Sequence, residues 1–124
     1  IEMSYSAFGA HDLVIIGAGH LGLLVAQQWL ALYPHARVLG ETRSSNRHDQ
    51  IRQLGAIPTL RESRPEAGGG CPNVLYCVPA GLMDANQYRN EVQEAGKLWD
   101  PQRGGTFVFT SSGGVYSENN GNKI

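Results

Sequence analysis

Cysteine is scarce in this chain, and the little there is excludes the chemistries that depend on it. The two cysteines, Cys71 and Cys77, have five residues between them. That separation matches neither a zinc ligand pair nor a dithiol redox motif, and two are too few for a disulfide framework. Reduced thiols are expected, with Cys77 packed in the core of an apolar strand. Metal spacing is lacking too: His11, His20, His35 and His48 are scattered, with no E-x-x-H or similar pattern, so no metal site is expected. Nor is there an excess of one charge. Ten Lys and Arg against eleven Asp and Glu leave a formal net charge of -1, which gives no field to attract a nucleic-acid backbone or an anionic membrane. No apolar run approaches the ~18 residues of a membrane span, and no basic segment followed by a long apolar run opens the chain. The expectation is a soluble, intracellular protein with no nucleic-acid or membrane partner.

What the chain does contain is an alternation of short apolar runs and helical stretches. Its 124 residues suit one domain with a modest core. Asp12 to Ile16 is a β-branched run that ends at a glycine and reads as a buried strand. Leu21 to Leu32 then places Leu21, Leu24, Val25, Gln28, Trp29 and Leu32 at helical spacing, with no proline before Pro34. Arg37 to Gly40 reads as a second strand. The polar stretch Glu41 to Asp49 leads to a short helix around Gln50 to Leu54, which Gly55 stops. Ala56-Ile57 is a weak third strand, and Thr59 to Pro72, rich in Gly, Pro and Arg, is a surface connection. Asn73 to Val78 is the fourth strand. Met83 to Trp99 is a helix burying Tyr88, Val92, Ala95 and Trp99, and Thr106 to Phe109 is the fifth strand. There is no internal repeat.

Strands alternating with helices of this length imply parallel pairing through right-handed crossovers. The expected fold is therefore α/β: an open parallel sheet of Rossmann type, strand order 3-2-1-4-5, with helices on both faces in three layers. Ligands in such a sheet lie at the carboxyl ends of the strands, where strands 1 and 4 diverge.

The loop at that point is Gly17-Ala18-Gly19-His20-Leu21-Gly22. A G-x-G-x-x-G string alone is a weak signal, but here it directly follows one predicted strand and opens one predicted helix. Gly17 would allow the tight turn, Gly19 the approach of a pyrophosphate to the backbone, and Gly22 the close seating of helix on strand. The free amides around His20 and Leu21 and the positive end of the helix would hold phosphate oxygens. His20 would contact phosphate or cap the helix. At the end of strand 2, Glu41 lies nineteen residues after Gly22, near the distance for an acidic residue that takes the ribose hydroxyls of NAD. Alignment of the strand nevertheless places Thr42 at that position, followed by Arg43, which with Ser44, Ser45 and Arg47 close by offers a planar cationic donor and hydroxyls suited to a monoester phosphate. This favours NADP, with NAD as the alternative.

With the glycine loop, Thr42-Arg43, the strand Val74 to Val78 and the segment Phe107 to Tyr116 in order, the chain resembles the extended and atypical short-chain dehydrogenase/reductases. It is similar to the N-terminal part of an NAD-dependent epimerase/dehydratase-type protein over roughly residues 11 to 118. The strand ending Thr110-Ser111-Ser112 and followed by Val115-Tyr116 carries most of that likeness. The loop departs from the G-x-x-G-x-x-G usual in extended members and points to the atypical branch. The resemblance implies that Ser112 binds and polarises a substrate carbonyl or hydroxyl. It also implies that Val78, Pro79 and Ala80 run beside the adenosine and ribose, and that Thr110 and Ser111 border the cofactor. The family's tyrosine and lysine, Y-x-x-x-K, are missing. The lysines are Lys97 and Lys123, and four residues before them stand Gln93 and Asn119.

Two expectations stay open. The chain is a fragment of a longer oxidoreductase that moves hydride at a hydroxyl or carbonyl of a small metabolite or nucleotide-sugar, or it is a non-catalytic dinucleotide-binding protein that senses redox state or serves as a scaffold. The first is preferred. A sheet stopping after strand 5 would expose apolar surface unless a second copy or a missing C-terminal portion covered its edge.

Overall fold

The computed structural model describes residues 7–65, 70–79, 81 and 83–110. Among the described residues are five strands, β1 (Leu13–Ile16), β2 (Val38–Thr42), β3 (Ile57–Leu60), β4 (Asn73–Tyr76) and β5 (Phe107–Phe109), and three α-helices, α1 (His20–Leu32) after β1, α2 (His48–Gln53) after β2 and α3 (Ala85–Gly96) after β4. The strands form one sheet in the order β3-β2-β1-β4-β5, and every neighbouring pair is parallel. This is a Rossmann-like α/β fold with the order the alternating pattern implies. Among the described residues no helix is long and apolar enough to cross a membrane.

Because successive side chains of a strand point to opposite faces, the apolar runs supply two cores. On one face Leu13, Ile15 and Val38 join Ala26 of α1 and Ile51 of α2. On the other, Val14, Ile16, Leu39, Val74 and Tyr76 join Ala95 of α3 and Leu98 just beyond it. Each large side chain so buried contributes about 1.5–3 kcal/mol, which is why β1, buried at all four positions, anchors the sheet. Burial thins toward β5. Ile15, Leu75 and Val108 form one cross-strand row, yet Ile15 is fully buried while Val108 and its neighbour Phe109 are exposed.

Several expectations give way to the packing. The leucines of α1 do not all face the sheet: Leu21, Leu24 and Leu32 are exposed, and Gly22 and Ala26 are the buried positions. The helix lies so close to β1 that a Cβ at Gly22 would stand 3.0 Å from Ile15 Cγ2 and 3.3 Å from the Gly17 carbonyl oxygen, so small residues occupy the contact. β3 runs on to Leu60 through Pro58; as the edge strand it has a side without a partner, where a missing N–H costs nothing. The α3 helix is shorter than expected. Asp84 caps it by accepting from the Gln87 amide at 2.8 Å, in a reciprocal capping box. Trp99 stands outside the helix and donates from its indole nitrogen to the Pro72 carbonyl at 3.0 Å.

The segment after β3 is more than a surface connection. Glu41 of β2 and Thr59 of β3 pair across the sheet and both are buried. Arg64 reaches back over them, its Nε 2.9 Å and its Nη2 2.6 Å from the two Glu41 oxygens. The side chains of this pair are 4% and 2% exposed. Arg64 Nη1 and the Tyr76 hydroxyl are buried with no hydrogen-bond partner among the described residues. A buried ion pair barely offsets its own desolvation, but removing one partner strands the other charge at a cost of about 3–5 kcal/mol. Glu41→Leu or Arg64→Met alone should therefore lower the unfolding free energy by about that much. The double replacement Glu41→Leu with Arg64→Met should lower it less than either. Urea unfolding of the four proteins checks this, and additive losses would contradict it.

Candidate functional site

The carboxyl ends of β1, β2 and β4 open onto a cleft of about 520 Å³ lined by the 17–22 loop, Thr42 to Ser44, Asn46, Arg47, Cys77 to Pro79 and Thr110. Its floor is the corner where β1 stops and α1 starts. Gly17 has φ +85°, and a Cβ there would meet Val78 Cγ2 at 2.7 Å and the Val78 nitrogen at 2.9 Å; both conformation and space demand glycine. The loop is held from β2, because the Glu41 carbonyl accepts from the Gly17 amide at 2.9 Å and from the Ala18 amide at 3.0 Å.

Gly19 differs. It caps α1 with φ -88°, and among the described residues, its two chain neighbours aside, a Cβ on it would find no atom within 4 Å, so neither backbone strain nor a described neighbour requires glycine here. A helix start leaves its first amides without intrahelical acceptors. The N-cap of α1, Gly19, makes no side-chain cap hydrogen bond, and the first turn of the helix carries no acidic residue. The amides of His20, Leu21 and Gly22 thus present the positive end of a thirteen-residue helix to the cleft.

The opposite wall comes from the end of β2. Strand alternation sends the Glu41 carboxylate to the far face, into its pair with Arg64, and brings Thr42 to the cleft. Thr42 Oγ1 donates to the Ser44 carbonyl at 2.6 Å and lies 3.1 Å from His48 Nε2. Ser44 caps the 3-10 turn Ser45–Arg47 by accepting from the Asn46 amide at 3.5 Å. This turn carries Asn46 and Arg47 to the rim. Arg43 is exposed, and its Nη2 stands 3.5 Å from Glu91 Oε1 on α3. Among the described lining residues there are two arginines and no carboxylate.

At the back of the cleft Cys77 donates from Sγ to the Gly17 carbonyl at 3.3 Å. Burial pushes its thiol up to about 11, as it does that of Cys71, so neither forms a thiolate at neutral pH. Cys77 is half-buried beside the loop, at the margin of the core and not within it. Among the described residues no group of three or more His, Cys, Asp or Glu is arranged to hold a metal ion.

Of the residues singled out in the sequence, Gly17, Gly19, His20, Leu21, Gly22, Thr42, Arg43, Ser44, Val78, Pro79 and Thr110 all line this one cleft. Ala80, Ser111 and Ser112 lie outside the described residues. Sequence reasoning missed Asn46 and Cys77. The Ser44 cap would have pointed to a turn that presents Asn46, and the alternation of β4 puts Cys77 on the Leu75 face. Models of known protein families, curated proteins and solved structures contain no significant match to this chain.

The two glycines separate packing from function. Gly17→Ala should cost more than about 2 kcal/mol through its left-handed backbone and its contact with Val78. Gly19→Ala should cost no more than about 1 kcal/mol, the usual range for a cap exchange. Comparable losses in chemical denaturation would show that Gly19 serves the fold instead of facing open space.

Proposed function

We propose that the cleft binds a nicotinamide dinucleotide, NADP in preference to NAD, and that the chain is the dinucleotide-binding part of an oxidoreductase resembling the epimerase/dehydratase-type short-chain dehydrogenase/reductases. The observation that carries this reading is the uncapped start of α1, which opens onto a cleft with arginines and no carboxylate in its described lining. Free amides at the positive end of a helix hold a diphosphate without any side chain, and the bare Gly19 leaves room for it beside the backbone. The cofactor, when bound, would supply hydride exchange with a hydroxyl or carbonyl.

The protein's own residues would bind and orient. His20, Leu21 and Gly22 would donate their amides to the diphosphate. Thr42, Arg43 and Ser44 would meet the ribose end, with Val78, Pro79 and Thr110 forming the other wall. The choice of NADP follows from the partnership of Glu41. Its carboxylate is locked to Arg64 on the far side of the sheet and is unavailable to a ribose diol, whereas the exposed Arg43 faces the cleft. A guanidinium offers a planar pair of donors to a monoester phosphate.

A second reading, a dinucleotide-binding protein without turnover, draws on one sequence fact: neither lysine of the chain stands four residues after a tyrosine. Both readings require the same binding step. In isothermal titration NADPH should bind more tightly than NADH. Arg43→Ala should weaken NADPH by about 1–3 kcal/mol and leave NADH little changed, while Gly19→Ala should weaken both. Failure of both dinucleotides to bind at millimolar concentration would end the proposal, and equal losses on Arg43→Ala would end the preference for NADP.

A further inference from the structure

We infer that Glu91, on α3 and outside the main cleft, is a positioning residue that sets how much positive charge Arg43 presents to a phosphate-bearing ligand, and that Arg61 tempers its effect. The inference rests on the reading of the cleft just given. Arg43 stands between two cavities, the main cleft and an adjoining one of about 380 Å³ that it lines with Met83, Gln87, Asn90 and Glu91. One carboxylate there serves two guanidinium groups. Arg61 takes both Glu91 oxygens, Nε to Oε1 at 3.1 Å and Nη2 to Oε2 at 3.4 Å, and Arg43 is left with a single 3.5 Å approach to Oε1.

The Arg43 side chain is 63% exposed, against 29% for Arg61. The long, wet contact therefore holds Arg43 weakly. Two cations on one anion leave one positive charge in surplus, and it is carried at the exposed end, facing the cleft. The hydrogen bond from Arg61 keeps the Glu91 carboxyl below the usual carboxylate range, so Glu91 is an anion at neutral pH. An incoming phosphate on Arg43 meets that like charge and competes with it. Arg61, by engaging both oxygens, reduces the competition.

The two arms have opposite signs, which a merely structural role would not produce. Glu91→Gln removes the competing charge and keeps the shape, and NADPH should bind about threefold to tenfold more tightly, in line with a like charge a few ångströms away screened by bulk water. Arg61→Gln hands the whole carboxylate to Arg43, and NADPH should bind more weakly by a similar factor. NADH should be unmoved in both variants, and raising salt should shrink both effects. If one variant fails to fold, as judged by circular dichroism, the sign of the other decides.

Shifts of the same direction in both variants, equal shifts for NADPH and NADH, or no shift in NADPH would overturn the inference. If in those cases Arg43→Ala still weakens NADPH, the NADP reading survives and only the role of Glu91 falls. If neither dinucleotide binds the unaltered chain, both fall together.

Discussion

Glu41 is the residue on which the two halves of the site depend. Its backbone carbonyl accepts two successive amides, from Gly17 and Ala18, and so fixes the loop at the end of β1. Its carboxylate holds Arg64 and ties the segment after β3 to the sheet. A strand residue ordinarily spends its carbonyl on a ladder and turns its side chain to a core. Here the carbonyl continues the ladder into the turn, and the side chain fills a buried polar position beside Thr59. One consequence is geometric: with Glu41 committed inward, alternation delivers Thr42 to the cleft. The other is electrostatic, because the Glu41 carboxylate is paired with Arg64 on the face away from the cleft.

The cleft that results is asymmetric in charge. One side presents helix amides with no cap and no acid in the first turn, and the other presents Arg43 and Arg47. A fold with a formal net charge of -1 thus concentrates positive potential at the carboxyl edge of its sheet. The buried acids, Asp12 and Glu41, are spent on structural contacts elsewhere. Asp12 accepts from the Gly9 and Arg37 amides, both at 2.7 Å, and faces the Arg37 guanidinium at 3.3 Å, which pins the entry to β1 at the opposite end of the strand. The two buried acids thus lie outside the described lining of the cleft.

Much of the architecture was legible because period-two and helical patterns alternate cleanly. The runs read at 12–16, 37–40 and 73–78 are apolar enough to be central strands, although β2 runs on through Glu41 and Thr42 and β4 stops at Tyr76, and their order follows from the handedness of crossovers. The loop at 17–22 was legible because its G-x-G-x-x-G spacing directly follows one strand and opens one helix. What escaped was decided by contacts across the chain. Helical spacing in α1 picks out Leu21, Leu24 and Leu32, which are exposed, while the closeness of helix to strand selects Gly22 and Ala26 for burial. The Glu41–Arg64 pair has no periodic signature, since Arg64 sits in a Pro- and Gly-rich stretch that reads as exposed. β3 was cut short because Pro58 looks like a breaker until the strand is known to lie at the edge. Asn46 and Cys77 reach the cleft through a turn and a strand end, neither of which composition reveals.

The most direct test of the account is to follow the backbone amide signals of the chain by NMR while adenosine, AMP and ADP are titrated in turn. If the loop grips a diphosphate, ADP should shift the amides of His20, Leu21 and Gly22 most strongly and saturably, AMP less, and adenosine hardly at all. If ADP leaves those three amides unmoved, or moves them no more than adenosine does, the corner between β1 and α1 is a turn and nothing more, and the dinucleotide reading is wrong.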